Sequence, residues 1–271
     1  MLTNLGALVL GIVQGLTEFL PVSSSGHLAL ASWFVGFNQG EGDMALAIGI
    51  ATNTGTLLAV LLALRNDVSL ALRGFVSGLF SPEARKSEGW RLALLVLVGC
   101  IPTGILGLLF RDSFEALAAP LPVAAMLALT GFLLWFAPRG KQPRTRIRDV
   151  RFADAIVVGI AQGIAVIPGL SRSGTTITTL LWRGIDSELA ARISFLMYLV
   201  VSLGVAALGV SEVRSAGLEF MPVLIMTVAS FIVGYAALVW LFVVLRRGRF
   251  RVFSPYLWAV AAVTVASVLV R

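Results

Sequence analysis

Charge is scarce in this chain of 271 residues. Asp, Glu, Lys and Arg make up 13% of it, against about 25% in soluble domains. There is one cysteine, Cys100, in an apolar context. A lone cysteine excludes an intramolecular disulfide and most thiolate metal sites, so Cys100 reads as a small core residue. There is also one histidine, His27, so any imidazole chemistry rests on a single position. The strict apolar/polar alternation of a barrel is missing, as are the P-loop pattern and the Gly-x-Ser-x-Gly elbow of α/β-hydrolases. The first residues lack the positive start of a cleavable signal, and residue 1 onward is taken as mature protein.

What the chain has instead is apolar length. Hydrophobic residues are 58% of the total, and the mean hydropathy is +0.94. Six segments carry no charge: 44–64, 92–110, 116–138, 193–211, 220–245 and 252–270. Each is long enough to cross roughly 30 Å of hydrocarbon. Lipid requires backbone groups to be satisfied within each segment, so the expected class is an all-α polytopic membrane protein forming one domain, 1–271.

The net charge is +7, and most of the basic residues fall in three loops. Arg65, Arg73, Arg85, Lys86 and Arg91 fall in the first, and Arg139, Lys141, Arg144, Arg146, Arg148 and Arg151 in the second. Arg246, Arg247, Arg249 and Arg251 fall in the third. The intervening loops 111–115 and 212–219 are short and nearly balanced. This asymmetry places the basic loops in the cytoplasm, where they meet anionic lipid rather than nucleic acid.

Parity then fixes the remainder. Residues 152–190 begin and end inside, and residues 1–40 begin and end outside, so neither region makes a net crossing. Their second apolar arms, about 26–37 and 173–184, reach only about 18 Å. Both regions therefore read as re-entrant hairpins, 1–40 from outside and 152–184 from the cytoplasm. An internal repeat agrees: Gly11-Ile12-Val13-Gln14-Gly15-Leu16 returns 148 residues later as Gly159-Ile160-Ala161-Gln162-Gly163-Ile164. At the same offset Ser23, Ser25 and Gly26 match Ser171, Ser173 and Gly174. Halves 1–138 and 152–271 each hold a hairpin and three spans, an odd number, which makes the repeat inverted. Such repeats place their site near the midplane, where the halves meet.

Both hairpin tips open a helix with hydroxyls: Pro21-Val22-Ser23-Ser24-Ser25-Gly26 and Pro168-Gly169-Leu170-Ser171-Arg172-Ser173-Gly174-Thr175-Thr176. Free N–H groups, the positive end of the helix dipole and serine donors cradle an anion. Arg172, costly at membrane depth, adds a planar fork suited to phosphate. Glu18 is the only acid in residues 1–40 and shares a helix face with Gln14. His27 follows Ser24 by one turn. Hydroxyl, imidazole and carboxylate are the groups of nucleophile, general base or acid, and metal ligand or orienting group.

These motifs resemble those of the bacterial undecaprenyl pyrophosphate phosphatase family: Gln14-x-x-x-Glu18, Pro21 to His27, and Pro168 to Thr176. The similarity runs the length of the chain and includes Ser194-Phe195-Leu196-Met197. It implies removal of the terminal phosphate of undecaprenyl pyrophosphate, recycling the lipid carrier of cell-wall synthesis and giving bacitracin resistance. It further implies a bacterial inner-membrane protein with six spans and two hairpins, often a dimer, requiring a divalent cation such as Mg²⁺ or Ca²⁺. By motif position Glu18 and Gln14 attend the metal or pyrophosphate, and Ser24 and His27 carry the chemistry. Arg172 grips the phosphate, with Ser23, Ser25, Gly26, Ser171, Ser173, Gly174 and Thr176 around it. Where the family shows Gln or Glu, this chain has Gln14, one negative charge fewer at the metal. Attack by Ser24 and attack by water both fit the motifs. Parity places the site toward the outer leaflet. The alternative is a lipid or anion transporter, since inverted repeats with broken helices are also the transporter plan and Glu18 with His27 could relay protons.

Overall fold

Lipid lets an apolar segment satisfy its own backbone as a helix, and every element among the described residues is helical. It is a computed structural model that describes residues 3–35, 43–110, 117–138, 143–208 and 219–270. Eleven α-helices lie among the described residues. The first half has α1 (Asn4–Phe19), α2 (Ser24–Val35), α3 (Asp43–Ala63), α4 (Arg65–Phe80), α5 (Glu88–Leu109) and α6 (Pro120–Trp135). The second has α7 (Phe152–Ile164), α8 (Arg172–Trp182), α9 (Ser187–Leu208), α10 (Phe220–Arg246) and α11 (Ser254–Val270).

By length and composition four stretches can cross a membrane: Glu88–Leu109, Ser187–Ala207, Phe220–Arg246 and Phe250–Val270. Ile48–Ala63 with Arg65–Phe80 makes a fifth if that pair, bent by 80°, is one span. This is a multi-pass membrane protein. Among the described residues of the expected span 116–138, helix covers the 16 residues Pro120–Trp135, with Pro120 setting its start. At 1.5 Å per residue it is about 24 Å long, shorter than the hydrocarbon core. The second hairpin arms are short as expected, with 12 residues in α2 and 11 in α8. The α7–α8 arms begin and end together: Asp154 in the first turn of α7 accepts from Arg183 Nε just past α8 at 2.7 Å. Residues 36–40 of the first hairpin and 209–218, most of the expected second outer loop, lie outside the described residues.

Between helices in lipid there is no hydrophobic drive, so small residues and interhelical hydrogen bonds do the joining. The repeated Gly-x-x-x-Gly shows this twice. α1 runs along α10, where a Cβ on Gly11 would meet the Met226 carbonyl oxygen at 2.6 Å and one on Gly15 the Gly234 nitrogen at 2.8 Å. α7 runs along α5, where a Cβ on Gly159 would collide with the Gly99 carbonyl oxygen and one on Gly163 would meet Leu106 at 2.7 Å. α6 and α11 pack on each other, and Trp258 donates to the Ala128 carbonyl at 3.2 Å. Tyr198 on α9 and Thr56 on α3 share a hydrogen bond of 2.9 Å.

One element had no counterpart in the expected loop 65–91. α4 turns away from α3 and exposes Leu72, Val76, Leu79 and Phe80, while its Asp67 pairs with Arg192 of α9. An apolar face and a charged face on a helix that does not continue its predecessor suit the membrane surface.

Candidate active site

The two tips are built alike. Ser23 Oγ accepts from the Gly26 amide at 3.3 Å, and Ser171 Oγ accepts from the Gly174 amide at 3.1 Å. Repeat-related serines thus cap repeat-related helices, α2 and α8. The tips also touch reciprocally: a Cβ on Gly26 would meet Gly169 Cα at 2.8 Å, and one on Gly174 would meet Pro21 Cβ at 3.2 Å. Gly169, with φ +94, occupies a backbone conformation that side chains rarely adopt. Ser173 Oγ, buried, donates to the Leu20 carbonyl at 3.3 Å and so ties the tips together.

Where the tips meet, a cavity of about 300 Å³ opens. From the first half it is lined by Gln14, Glu18, Ser23, Ser24 and Ser25, and from the second by Ser171 and Arg172. Ser24 Oγ donates to Glu18 Oε2 at 2.8 Å. Gln14 Nε2 donates to the same Oε2 and to Asn53 Oδ1, both at 2.9 Å. Arg172 pairs with the other carboxylate oxygen, Oε1. Its guanidinium lies over the Tyr198 ring, 4.1 Å from the centroid, which fixes the plane of the fork. One carboxylate therefore joins the nucleophile-type hydroxyl of one half to the arginine of the other.

Other expected residues are placed elsewhere. Thr176 is buried and bonded to Ser194 at 2.6 Å and to the Arg172 carbonyl at 2.8 Å, so it braces α8 against α9. Ser173, Gly26 and Gly174 form the contact between tips rather than the cavity wall. His27 does not line the cavity. Its Nδ1 lies 2.8 Å from the Ser23 carbonyl oxygen, which can only accept, so Nδ1 carries the proton. Nε2 then accepts from Tyr256 Oη at 2.7 Å, and the two rings stack at 5.6 Å. The carbonyl that His27 holds belongs to Ser23, whose φ of 69 is the only positive value at a non-glycine residue among the described residues.

The cavity also holds polar residues that the tip motifs do not contain: Thr17, Thr52, Asn53, Thr103 and Gln162. Gln162 had been visible as the repeat partner of Gln14, and Asn53 as an amide inside a charge-free span. Tyr198 and Tyr256 carried no sequence signal.

As potential metal ligands the wall offers one carboxylate, Glu18, and the amide oxygens of Gln14, Asn53 and Gln162. No group of three or more His, Cys, Asp or Glu side chains that could hold a metal exists among the described residues. Such a donor set suits a hard cation that keeps most of its ligands from water or substrate phosphate.

The family model described as bacitracin resistance protein BacA matches residues 7–263. A protein of Acaryochloris marina named undecaprenyl-diphosphatase is 57% identical over 267 residues, covering 98% of this chain and 99% of its own. Proteins of the same name from Desulforapulum autotrophicum and Rubrobacter xylanophilus are 40% and 39% identical, over 95% and 99% of this chain. They are covered over 95% and 100% of their own lengths.

Proposed function

Since the chain belongs to the bacitracin resistance protein BacA family, we propose that it hydrolyses undecaprenyl pyrophosphate to undecaprenyl phosphate and inorganic phosphate. The observation that carries the chemistry is the 2.8 Å hydrogen bond from Ser24 to Glu18 at the mouth of two facing helix N-termini. A hydroxyl already donating to a carboxylate is a nucleophile with its base in place.

In the first step Ser24 Oγ attacks the terminal phosphorus and Glu18 takes the hydroxyl proton. The P–O bond to the bridging oxygen breaks, and undecaprenyl phosphate leaves with the electron pair. The proton held by Glu18 passes to a phosphate oxygen of the departing undecaprenyl phosphate. In the second step Glu18 draws a proton from water as it attacks the phosphoserine, the P–Oγ bond breaks, and Ser24 Oγ takes that proton back as inorganic phosphate departs. Arg172 and the first-turn N–H groups of α2 and α8 stabilise charge on the equatorial oxygens. Arg172 has five N–H donors, and its link to Glu18 keeps it poised at the cavity. His27 acts here as a positioning residue: it holds the Ser23 carbonyl, and through it the start of α2 and Ser24.

The divalent cation implied by the family would be held by Gln14 and Glu18, and it would neutralise charge on the pyrophosphate. Six spans with two re-entrant hairpins, in halves 1–138 and 152–271, remain the topology we favour. The exchange of partners between α1 with α10 and α7 with α5, and the closed base of the α7–α8 hairpin, support it. The basic loops then lie in the cytoplasm and the cavity is reached from the outer leaflet of the bacterial inner membrane. An impermeant thiol reagent applied to a cysteine introduced at Ser25, with Cys100 replaced, tests that side. The resemblance also supports a pair of chains as the working unit, which sedimentation in detergent tests.

The deciding experiment is phosphate release from undecaprenyl pyrophosphate by purified protein in detergent, with and without Mg²⁺ or Ca²⁺, beside Ser24→Ala and Arg172→Ala. Cation-dependent release lost in both variants supports the phosphatase. No release from folded wild-type protein would return the cavity to the transporter reading.

A further inference from the structure

Gln162 on α7 carries a buried polar atom without a partner. The residue is 1% exposed, and its Oε1 accepts no hydrogen bond from any described residue. A buried polar atom left without a partner is destabilising and calls for an explanation. The orientation of the amide follows from its neighbour. Thr103 Oγ1 lies 2.9 Å from the Gly159 carbonyl oxygen and 3.2 Å from that of Gly99. Both can only accept, so the Thr103 proton is committed to one of them. Toward Gln162, at 3.3 Å, Thr103 can then only accept, and the amide must turn its nitrogen that way. Oxygen is left as the free end of a residue that lines the reaction cavity.

The repeat partner is fixed in the same sense. Gln14 Nε2 is committed to Glu18 and Asn53, which leaves its oxygen as the uncommitted end. Two glutamines, 148 residues apart, thus have their nitrogens pinned beside one cavity. A carbonyl oxygen facing a pyrophosphate meets other acceptors, and that contact is repulsive unless something positive lies between. Pyrophosphate brings such a group, because oxygens of its two phosphates chelate a divalent cation in water. Hard cations accept amide oxygens as ligands.

We propose that Gln162 is a cation ligand in this cavity: its amide oxygen, together with that of Gln14, receives the divalent cation carried in by the pyrophosphate. The identity of the incoming anion rests on the pyrophosphatase reading above; the orientation of Gln162 does not. Because Arg172 offsets the charge of Glu18, the seat is close to neutral. Cation binding is therefore weak alone and strengthened by the bound diphosphate.

The test uses full-length protein in detergent, Mn²⁺ as the probe followed by electron paramagnetic resonance, and methylene diphosphonate as a non-hydrolysable anion. Wild-type protein takes up Mn²⁺ tightly only with the diphosphonate. Gln162→Met, which keeps the length and removes the oxygen, weakens that uptake about tenfold. Gln162→Glu strengthens uptake and makes it measurable without the anion. Unchanged Mn²⁺ affinity in both variants overturns the proposal, even if thermal stability or turnover falls, since those losses would mark a structural residue or a bound water. If Gln162→Met does not fold, Gln162→Glu alone decides. Should wild-type protein release no phosphate while Gln162→Glu still gains Mn²⁺, the cation seat stands and the phosphatase reading fails.

Discussion

Ser24 and Glu18 are joined by a 2.8 Å hydrogen bond between residues six apart in sequence, across the turn from α1 to α2. The carboxylate oxygen that receives the Ser24 proton also receives Gln14, while its other oxygen is held by Arg172. Glu18 is thereby oriented by three donors and aimed at one hydroxyl.

Glu18→Gln keeps the shape and loses the proton acceptor. Phosphate release should fall by about 10²–10⁴-fold in kcat, the range for loss of a general base. Ser24→Ala should fall at least as far, and acid-quenched ³²P-labelled substrate should leave label on wild-type protein and none on Ser24→Ala. Label retained by Ser24→Ala would remove the serine as nucleophile.

Arg172→Lys retains charge and loses the planar fork that lies over Tyr198. A drop of about 10²-fold in kcat/KM is expected, similar to loss of one transition-state donor. Activity near that of wild type would mean that point charge suffices.

Tyr256→Phe separates two roles for His27. Removing one hydrogen bond to a positioning residue costs about 1 kcal/mol, or roughly fivefold in rate. The shape of the pH–rate profile should be unchanged. An altered acid limb would instead make His27 the titrating base.

Gly159→Leu inserts a side chain where the α7 backbone nearly touches the Gly99 carbonyl. Overpacking of this kind costs about 1–3 kcal/mol or more, read as a lower unfolding temperature in detergent. Gly104→Leu, on the same α5 but with open space around its Cβ position, is the control and should unfold as wild type does.

Asp154, at the base of the α7–α8 hairpin, gives a pH prediction. Burial pushes its carboxyl up, but hydrogen bonds from Arg144, the Arg151 amide and Arg183 outweigh burial and hold it below the usual carboxylate range. A depressed value in the folded state contributes stability that is complete above the unfolded value, near 4, and is lost as the pH falls through the folded one. Asp154→Asn should therefore lower stability at pH 7 by roughly 2–3 kcal/mol, less than for a fully enclosed pair because the arginines stay partly exposed. It should flatten the acid side of the stability curve.

Sequence made the helical class legible because lipid permits so few alternatives. It made the short helices that follow the two tips legible, and α2 and α8 have 12 and 11 residues. Ser24, Glu18 and Arg172 stood out as polar groups at apolar depth, and the structure gathers them at one cavity. What stayed hidden was pairing over distance. Tyr198, Tyr256, Asn53 and Thr103 are single polar residues inside apolar helices, and periodicity does not tell which one faces which. His27 is near Ser24 in sequence, yet its ring turns back to the Ser23 carbonyl and outward to α11. α4 was masked by its own charges, which resemble a basic loop until Asp67 is seen paired with Arg192.

The Glu18–Arg172 pair has a consequence for the gene as well as the protein. Acid and arginine come from different halves of the chain, so each half carries an incomplete set of reactive groups on a similar scaffold. Expressed as two separate polypeptides broken in the 139–151 connection, each should be inert by itself, and activity should return only by complementation.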